Sequence, residues 1–270
     1  MFTATWTRSA GTWSADAMKP AHSTWKEVEA FDKEAVCVIP TGSLEQHGAH
    51  LPLFTDSLLS SSVAERAEAR RPDIVLLYPC VWLGCSAHHM AMAGTATADA
   101  ETYIRVLTEI IRCATAHGFR KFFVLNGHGG NTEPNGVALR ELKREYPNHL
   151  LAHCGYFALI SQSVLDETLT GPIKGIRHAC EAETSMMMYL YPDLVRTDRL
   201  RDDGLSMEPP APAGLNIIQT FDEITAAGSF GYATQASAEK GQKLIEAAVD
   251  GVVAALEHLY NGYLMVGQAE

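Results

Sequence analysis

Short runs of apolar residues alternate with longer amphipathic ones through most of the chain. Ala35 to Ile39, Ile74 to Val81 and Phe122 to Leu125 are largely apolar at successive positions. Each is followed by a segment in which apolar residues recur at helical spacing: Leu58 to Arg70, Ala100 to His117 and Asn135 to Glu145. A run such as Ile74-Val75-Leu76-Leu77-Tyr78 has no polar face. It therefore suits a strand of a parallel sheet covered by helices on both sides. The pattern predicts β-α-β-α order and an α/β fold. A further strand is expected at Leu150 to Tyr156, and helices at about Glu183 to Leu190 and Glu239 to Leu259. Between those two helices, Arg201 to Tyr232 contains Pro209, Pro210, Pro212, Gly214, Gly228 and Gly231, which break any regular period. This stretch is expected to be a long excursion with little regular structure, serving as a lid, a pocket wall or an oligomer contact.

With 270 residues, 47% of them hydrophobic and 20% charged, the chain can bury a full core, and one domain spanning 1–270 is expected. Residues 1–30 form its N-terminal extension and 201–232 the excursion. The net charge of −11, with no local cluster of Lys or Arg, excludes nucleic acid as a partner. The start of the chain lacks a basic segment followed by an apolar block, and no apolar run reaches membrane-spanning length. No membrane association is expected, and the location expected is cytoplasmic. The six cysteines include no Cys-x-x-Cys pair, which predicts reduced core thiols rather than a cysteine-ligated metal. Cys180 is the reservation, because it neighbours other candidate ligands.

The chemistry gathers in four segments. Glu45-Gln46-His47-Gly48-Ala49-His50-Leu51-Pro52-Leu53-Phe54-Thr55-Asp56 puts carboxylates and imidazoles into one turn-rich stretch after a strand. A mixed Glu/His/Asp set suits Zn, Mn or Fe. Asn126-Gly127-His128-Gly129-Gly130-Asn131 follows another strand, so both loops lie at the carboxyl edge of the sheet, where ligands bind in open α/β folds. Its glycines also permit a phosphate-binding loop, but no Lys follows at P-loop spacing. In Arg177-His178-Ala179-Cys180-Glu181-Ala182-Glu183, helical spacing puts Glu183 in one stripe with Met186, Met187 and Leu190. Glu183 is thus the candidate buried carboxylate, held by a metal or paired with Arg177 or Lys174. The fourth segment, Gly84 to Thr95, offers His88 and His89, of which an extended backbone would face only one toward a shared cavity.

Together, Glu45-Gln46-His47-Gly48-Ala49-His50-Leu51-Pro52 with Thr55-Asp56, Asn126 to Asn131 and His178-Ala179-Cys180-Glu181-Ala182-Glu183-Thr184-Ser185 resemble the creatininase family. The resemblance covers roughly residues 35 to 245. It takes in Ser86, His89, Gly94 and Thr95, and the step Glu239-Lys240-Gly241 into the last helix. It implies a three-layer α/β/α sandwich with a mostly parallel sheet, a binuclear centre of two divalent metal ions (Zn, Mn or Fe), hydrolysis of C–N bonds in small molecules, and a homohexamer. By motif, Glu45, Asp56 and His128 resemble ligands of one ion, and His47 with bridging Asp56 resembles the other pair. Creatininase proper has Tyr-Glu where this chain has Gly129-Gly130, so Glu183 is taken as the replacement ligand. His88 and Met92-Ala93 stand where relatives commonly have Glu and Phe-Pro, which points to a substrate other than creatinine.

The function expected is hydrolysis of an amide, cyclic amide or formamide by a metal-bridging water. His178 shuttles the proton, while His50, Ser86, His89, Gly129 and Gly130 support ligands or touch substrate. Two alternatives stay open. One is a metal-dependent lyase or hydratase acting on a keto-sugar or polyol. The other is a non-catalytic metal-binding assembly subunit.

Overall fold

In a computed structural model that describes residues 18–203, 215 and 217–262, four parallel strands form the central sheet in the order β2-β1-β3-β4. They are β1 (Val36–Thr41), β2 (Val75–Leu77), β3 (Lys121–Asn126) and β4 (Leu150–Gly155). Before β1 lies the short α1 (Trp25–Ala30). The crossovers are α2 (Thr55–Arg70), α3 (Ala100–Ala116) and α4 (Thr132–Glu145), and after β4 come α5 (Gln162–Thr168), α6 (Glu181–Leu190) and α8 (Ala238–Tyr260). The register runs from Val36↔Lys121 to Thr41↔Asn126, and from Lys121↔Leu150 to Asn126↔Gly155.

The alternation of side chains along each strand sorts the apolar residues into two cores. Val36, Val38, Val75, Leu77, Phe123 and Leu125 pack with Leu59, Val63 and Ala67 of α2, Met186 and Met187 of α6, and Leu244, Ile245, Val249 and Val252 of α8. Cys37, Ile39, Leu76, Phe122 and Val124 face the other way, onto Tyr103, Leu107 and Ile111 of α3 and Ala138, Leu139 and Leu142 of α4. The result is a three-layer α/β/α sandwich, as the apolar runs and the resemblance together predict. Emptying either core at a fully buried Leu would cost about 2–5 kcal/mol.

The second strand is shorter than the apolar run suggests. Tyr78 N–H still donates to Val38 O, but the next donor to β1 is Val81, to Pro40 O, where an unbroken ladder would use Cys80; Pro79 sits at a position whose N–H would face the outer edge, so the strand slips by one residue there. Pairing therefore resumes only as an isolated bridge at Thr41↔Val81. On the outer side of β2, Leu77 N–H donates to Met18 O, so part of the N-terminal extension lies along the sheet. Residues 1–17 fall outside the described residues. So do 204–214 and 216 of the excursion, whose remainder carries a two-stranded antiparallel ribbon, β5 (Asp202–Asp203) with β6 (Gly231–Tyr232), and the one-turn α7 (Phe221–Ile224). Among the described residues no helix is long and apolar enough to cross a membrane.

The order of strands creates one crevice. The helix after β1 packs on one face of the sheet and the helix after β3 on the other, and β1 and β3 are neighbours. Their carboxyl ends therefore open between diverging loops, the position where doubly wound folds bind ligands.

Candidate metal centre

Three of the four segments singled out in the sequence supply Asp56 and its immediate neighbours, and the loop of residues 84–90 closes the site from the side. Asp56 lies in the first turn of α2, which begins at Thr55 rather than at the first apolar position, Leu58. A carboxylate there meets the positive end of the helix dipole. Close backbone approach brings the β3 loop to it: a Cβ on Gly127 would lie 2.5 Å from Asp56 O.

The geometry centres on Asp56, which is 3% exposed. His47 Nε2 lies 2.9 Å from its Oδ1, and His128 Nδ1 lies 3.0 Å from its Oδ2. Each imidazole is fixed from behind by a backbone carbonyl. His47 Nδ1 faces Glu45 O at 3.2 Å, and His128 Nε2 faces Cys85 O at 3.1 Å. That is how metal-binding histidines are oriented, with one ring N–H donated to a carbonyl and the other nitrogen turned to the ion. Ser43 Oγ donates to Asp56 Oδ2 at 2.9 Å.

Glu45 decides what the cluster lacks. It is 1% exposed, and neither carboxylate oxygen accepts a hydrogen bond. His89 Nε2 and His128 Nδ1 each come to 3.2 Å of Oε1, without hydrogen-bond alignment. A buried carboxylate in this state is costly unless a cation joins it. Three donor groups fit such a cation: Glu45 with His47 and Asp56, His47 with His178 and Glu183, and Glu45 with His89 and His178, each with donor atoms within 4.8 Å of one another.

The charges interlock. Burial opposes ionisation of His47, but Asp56, Glu183 and Glu45 overcome it and raise the imidazole to about 9. Burial is likewise outweighed at His128, which Glu45 and Asp56 hold well above its usual range. At Asp56 burial is outweighed by His47 and His128, which hold its carboxyl well below the ordinary value. Glu183 goes the other way: burial and the charges of Asp56 and Glu45 raise it to about 8 against the pull of His47. Protons on His47 and Glu183 thus stand where a divalent ion would otherwise balance the carboxylates.

Glu183 and Glu181 part company at the start of α6. Glu183 accepts from Ala179 N–H at 2.5 Å and lines the cavity, paired with neither Arg177 nor Lys174. Glu181 turns away to Lys240 Nζ at 2.6 Å and to the N–H groups of Thr170 and Gly171. The chain enters α6 through Ala179 with φ 47°, a left-handed conformation for a non-glycine residue. Cys180, the reserved thiol, accepts from Arg177 N–H, is buried, and belongs to none of these donor groups.

His178 hangs beside the cluster. Its Nε2 sits 2.7 Å from Gln46 O, which places the ring proton on Nε2 and leaves Nδ1 toward Glu45 Oε1, 3.7 Å away. Burial and the charges of His47 and His89 hold its pKa well below the usual value. The Gln46 amide donates to His89 Nδ1 at 2.8 Å, so His89 presents Nε2–H to Glu45; burial and neighbouring imidazoles push His89 down to about 2.

A cavity of about 320 Å³ opens above these groups, lined in part by Glu45, Asp56, His128, Gly129, Gly130, His178 and Glu183. His88 and His89 both line it, which corrects the expectation of one. Ala87–His89 is a tight 3-10 turn rather than an extended segment, so neighbouring side chains are not sent to opposite faces. His50 and Ser86 stand outside the cavity lining. His50 Nε2 pairs with Thr184 Oγ1 at 2.9 Å, and Ser86 Oγ lies 3.3 Å from His128 Nε2. Sequence reasoning missed the apolar walls, Phe157, Ile176, Phe221 and Phe230, and the place of Arg177 on the lining. Phe221 stacks on His89 with ring centroids 4.0 Å apart. It comes from the excursion, where no motif marks it; Arg177 had a signal, its place next to His178.

The sequence model of the creatininase family, described as creatinine amidohydrolase, matches residues 21–256. The chain belongs to the creatininase family. A creatinine amidohydrolase of Pseudomonas putida is 32% identical over 252 residues, covering 86% of this chain and 94% of the relative. A mycofactocin precursor peptide peptidase of Mycobacterium ulcerans is 30% identical over 240 residues, covering 86% and 84%. Among solved structures, a manganese form of creatininase superposes with TM-score 0.76 at 29% identity, covering 89% of this chain and 98% of that one. A Zn–Zn form of a creatininase variant gives 0.76 at 30% identity, covering 89% and 97%. The chain is accordingly a creatininase-family amidohydrolase, and its Glu/His/Asp cluster is a site for divalent metal ions such as these relatives carry.

Proposed function

We propose that the protein hydrolyses an amide, cyclic amide or formamide bond of a small molecule at two divalent ions that share Asp56. The observation that carries this reading is the position of Asp56, with its two oxygens facing two different, separately anchored imidazoles. Glu45, Asp56 and His128 would hold one ion, and His47, Asp56 and Glu183 the other. Such ions supply an acidified water and an electrophile for the scissile carbonyl.

Glu183 takes the place of the glutamate that creatininase proper carries at position 130, and sterics support the exchange. A Cβ on Gly130 would lie 2.2 Å from Cys85 O, 2.5 Å from His128 Nε2 and 2.9 Å from His88 Cε1, so no side chain fits.

The reaction breaks C–N, forms C–O and moves both protons of the water to the nitrogen, the first as the C–N bond breaks: R–CO–NH–R′ and water give R–COO⁻ and R′–NH3⁺. His178 moves that first proton. Its Nε2–H is held by Gln46 O, and its free Nδ1 faces the cluster. The depressed pKa keeps it neutral and ready to accept, and makes its protonated form a strong donor to the departing amine.

The test is metal content per chain by plasma mass spectrometry, on protein purified without chelator, beside Asp56→Ala. Two ions per chain, lost together in the variant, are expected. A chain that stays empty after supplementation overturns the reading. Product mass separates hydrolysis, which adds water to the substrate, from a lyase, which does not. The assembly we propose is the homohexamer of the resemblance. The exposed Leu215, Ile217 and Ile218 support an assembly contact in the excursion.

A further inference from the structure

The cavity has two chemically opposite ends. Its floor gathers carboxylates and imidazoles. Its walls are Phe157, Ile176, Phe221 and Phe230. At its mouth stands Arg177, exposed, and among the described residues that line the cavity it is the sole Lys or Arg. In a chain of net charge −11 it has no ion pair among the described residues, so its guanidinium is not already engaged by a carboxylate of the protein.

Arg177 is nevertheless held in place. Its backbone N–H donates to Cys180 Sγ at 3.2 Å, and its guanidinium lies 5.9 Å from the centre of the Phe230 ring. Phe230 N–H donates to His178 O at 2.7 Å, so the residue that leads into β6 and carries the ring is tied to the segment that carries the arginine. A guanidinium resting on an aromatic face keeps its planar donor edge open, the arrangement that receives a carboxylate through two parallel hydrogen bonds.

Resting on the hydrolase reading above, we propose that Arg177 is a specificity-determining residue that binds a carboxylate of the substrate, so that the enzyme acts on anionic amides with an apolar body, such as an acylated apolar amino acid or a short apolar peptide. The carboxylate meets Arg177 at the mouth, the apolar part lies against the phenylalanines and Ile176, and the scissile amide reaches the floor. The bond changes are those already written, and the carboxylate on Arg177 takes no part in them.

Two measurements test this. On metal-loaded protein, hydrolysis of N-acetyl-L-phenylalanine is compared with that of its neutral C-terminal amide. Binding of 3-phenylpropanoate is compared by calorimetry with that of 4-phenyl-2-butanone, a neutral compound of similar shape; neither is hydrolysed. We expect the anion to be favoured about tenfold or more, through KM and Kd rather than kcat. Arg177→Met should erase that preference while metal content and Tm stay unchanged, and Arg177→Lys should restore part of it. An equal response to anion and neutral partner, or a preference for the anion that survives Arg177→Met because the ions alone hold it, overturns the proposal and leaves the hydrolase reading intact. Loss of the calorimetric preference in Arg177→Met, in a protein that hydrolyses no amide, would support the carboxylate site and overturn the hydrolase reading instead.

Discussion

Asp56, His47, Glu183 and His178 differ in what a proton does to them, and two measurements follow. His178→Ala should lower turnover by about 10²–10⁴-fold with both ions retained, measured as kcat beside metal content. Loss of an ion in that variant would make His178 a ligand instead. The second measurement concerns stability. His47 is raised to about 9 and Glu183 to about 8, so both bind protons more tightly in the folded than in the unfolded chain. Without metal, their contribution is complete below their unfolded values and is lost as pH rises through the folded ones. Metal ions displace those same protons and gain as pH rises. The gap in Tm between loaded and chelated protein should therefore widen from pH 6.5 to 9. The histidines with depressed pKa values, His50 and His89 among them, titrate below that window. A gap that stays flat or narrows would refute the charge scheme.

At the scale of elements, the entry into α6 is where local strain meets chemistry. Ala179 is fully buried at φ 47°, between the proposed proton shuttle and a helix whose first turn supplies Glu183. A single residue there costs about 1–2 kcal/mol relative to an ordinary conformation. Ala179→Val adds β-branching and volume at a site with no room, and should destabilise by about 1–3 kcal/mol or more, seen as a lower denaturation midpoint. Ala179→Gly should fold with little loss. The elements also show how far the sequence could be followed. Ala35 to Ile39 and Phe122 to Leu125 announced buried strands because both faces are apolar; Glu45, His47, Asp56 and His128 suggested a metal site because hard and borderline donors follow two strand ends, and Glu183 was added by its place on the buried stripe of α6. The 3-10 turn at Ala87–His89 was not legible, because its conformation is set by Ser86 and Thr97 rather than by any periodicity of its own. The arrival of Phe221 over His89 was not legible either. A residue whose place is fixed by a distant loop has no local pattern to reveal it.

At the scale of the whole molecule, the excursion links the site to the surface. It brings Phe221 and Phe230 into the cavity wall and leaves Ile217 and Ile218 50% and 87% exposed a few residues away. If the hexamer buries this run, light scattering should give a mass of six chains. Ile217→Ser with Ile218→Ser should then shift the distribution toward smaller species. A monomeric mass for the unmodified protein would remove the assembly proposal without touching the metal centre.

The crowding at Gly130 restricts which substitutions this site can take. One obstacle there is the imidazole of His88, which a substitution can remove; another is the carbonyl of Cys85, which no substitution can. An acidic side chain at 130 therefore needs the backbone around Cys85 to move, not only a change at His88. On the proposed assignment, the source of the second acidic ligand is thus set by the shape of a neighbouring backbone rather than by the ion it would serve. Grafting Glu at 130 and Gln at 183 should yield a poorly folded protein, whereas exchanging the whole loop around Cys85 together with those two residues gives the graft a route to a folded site.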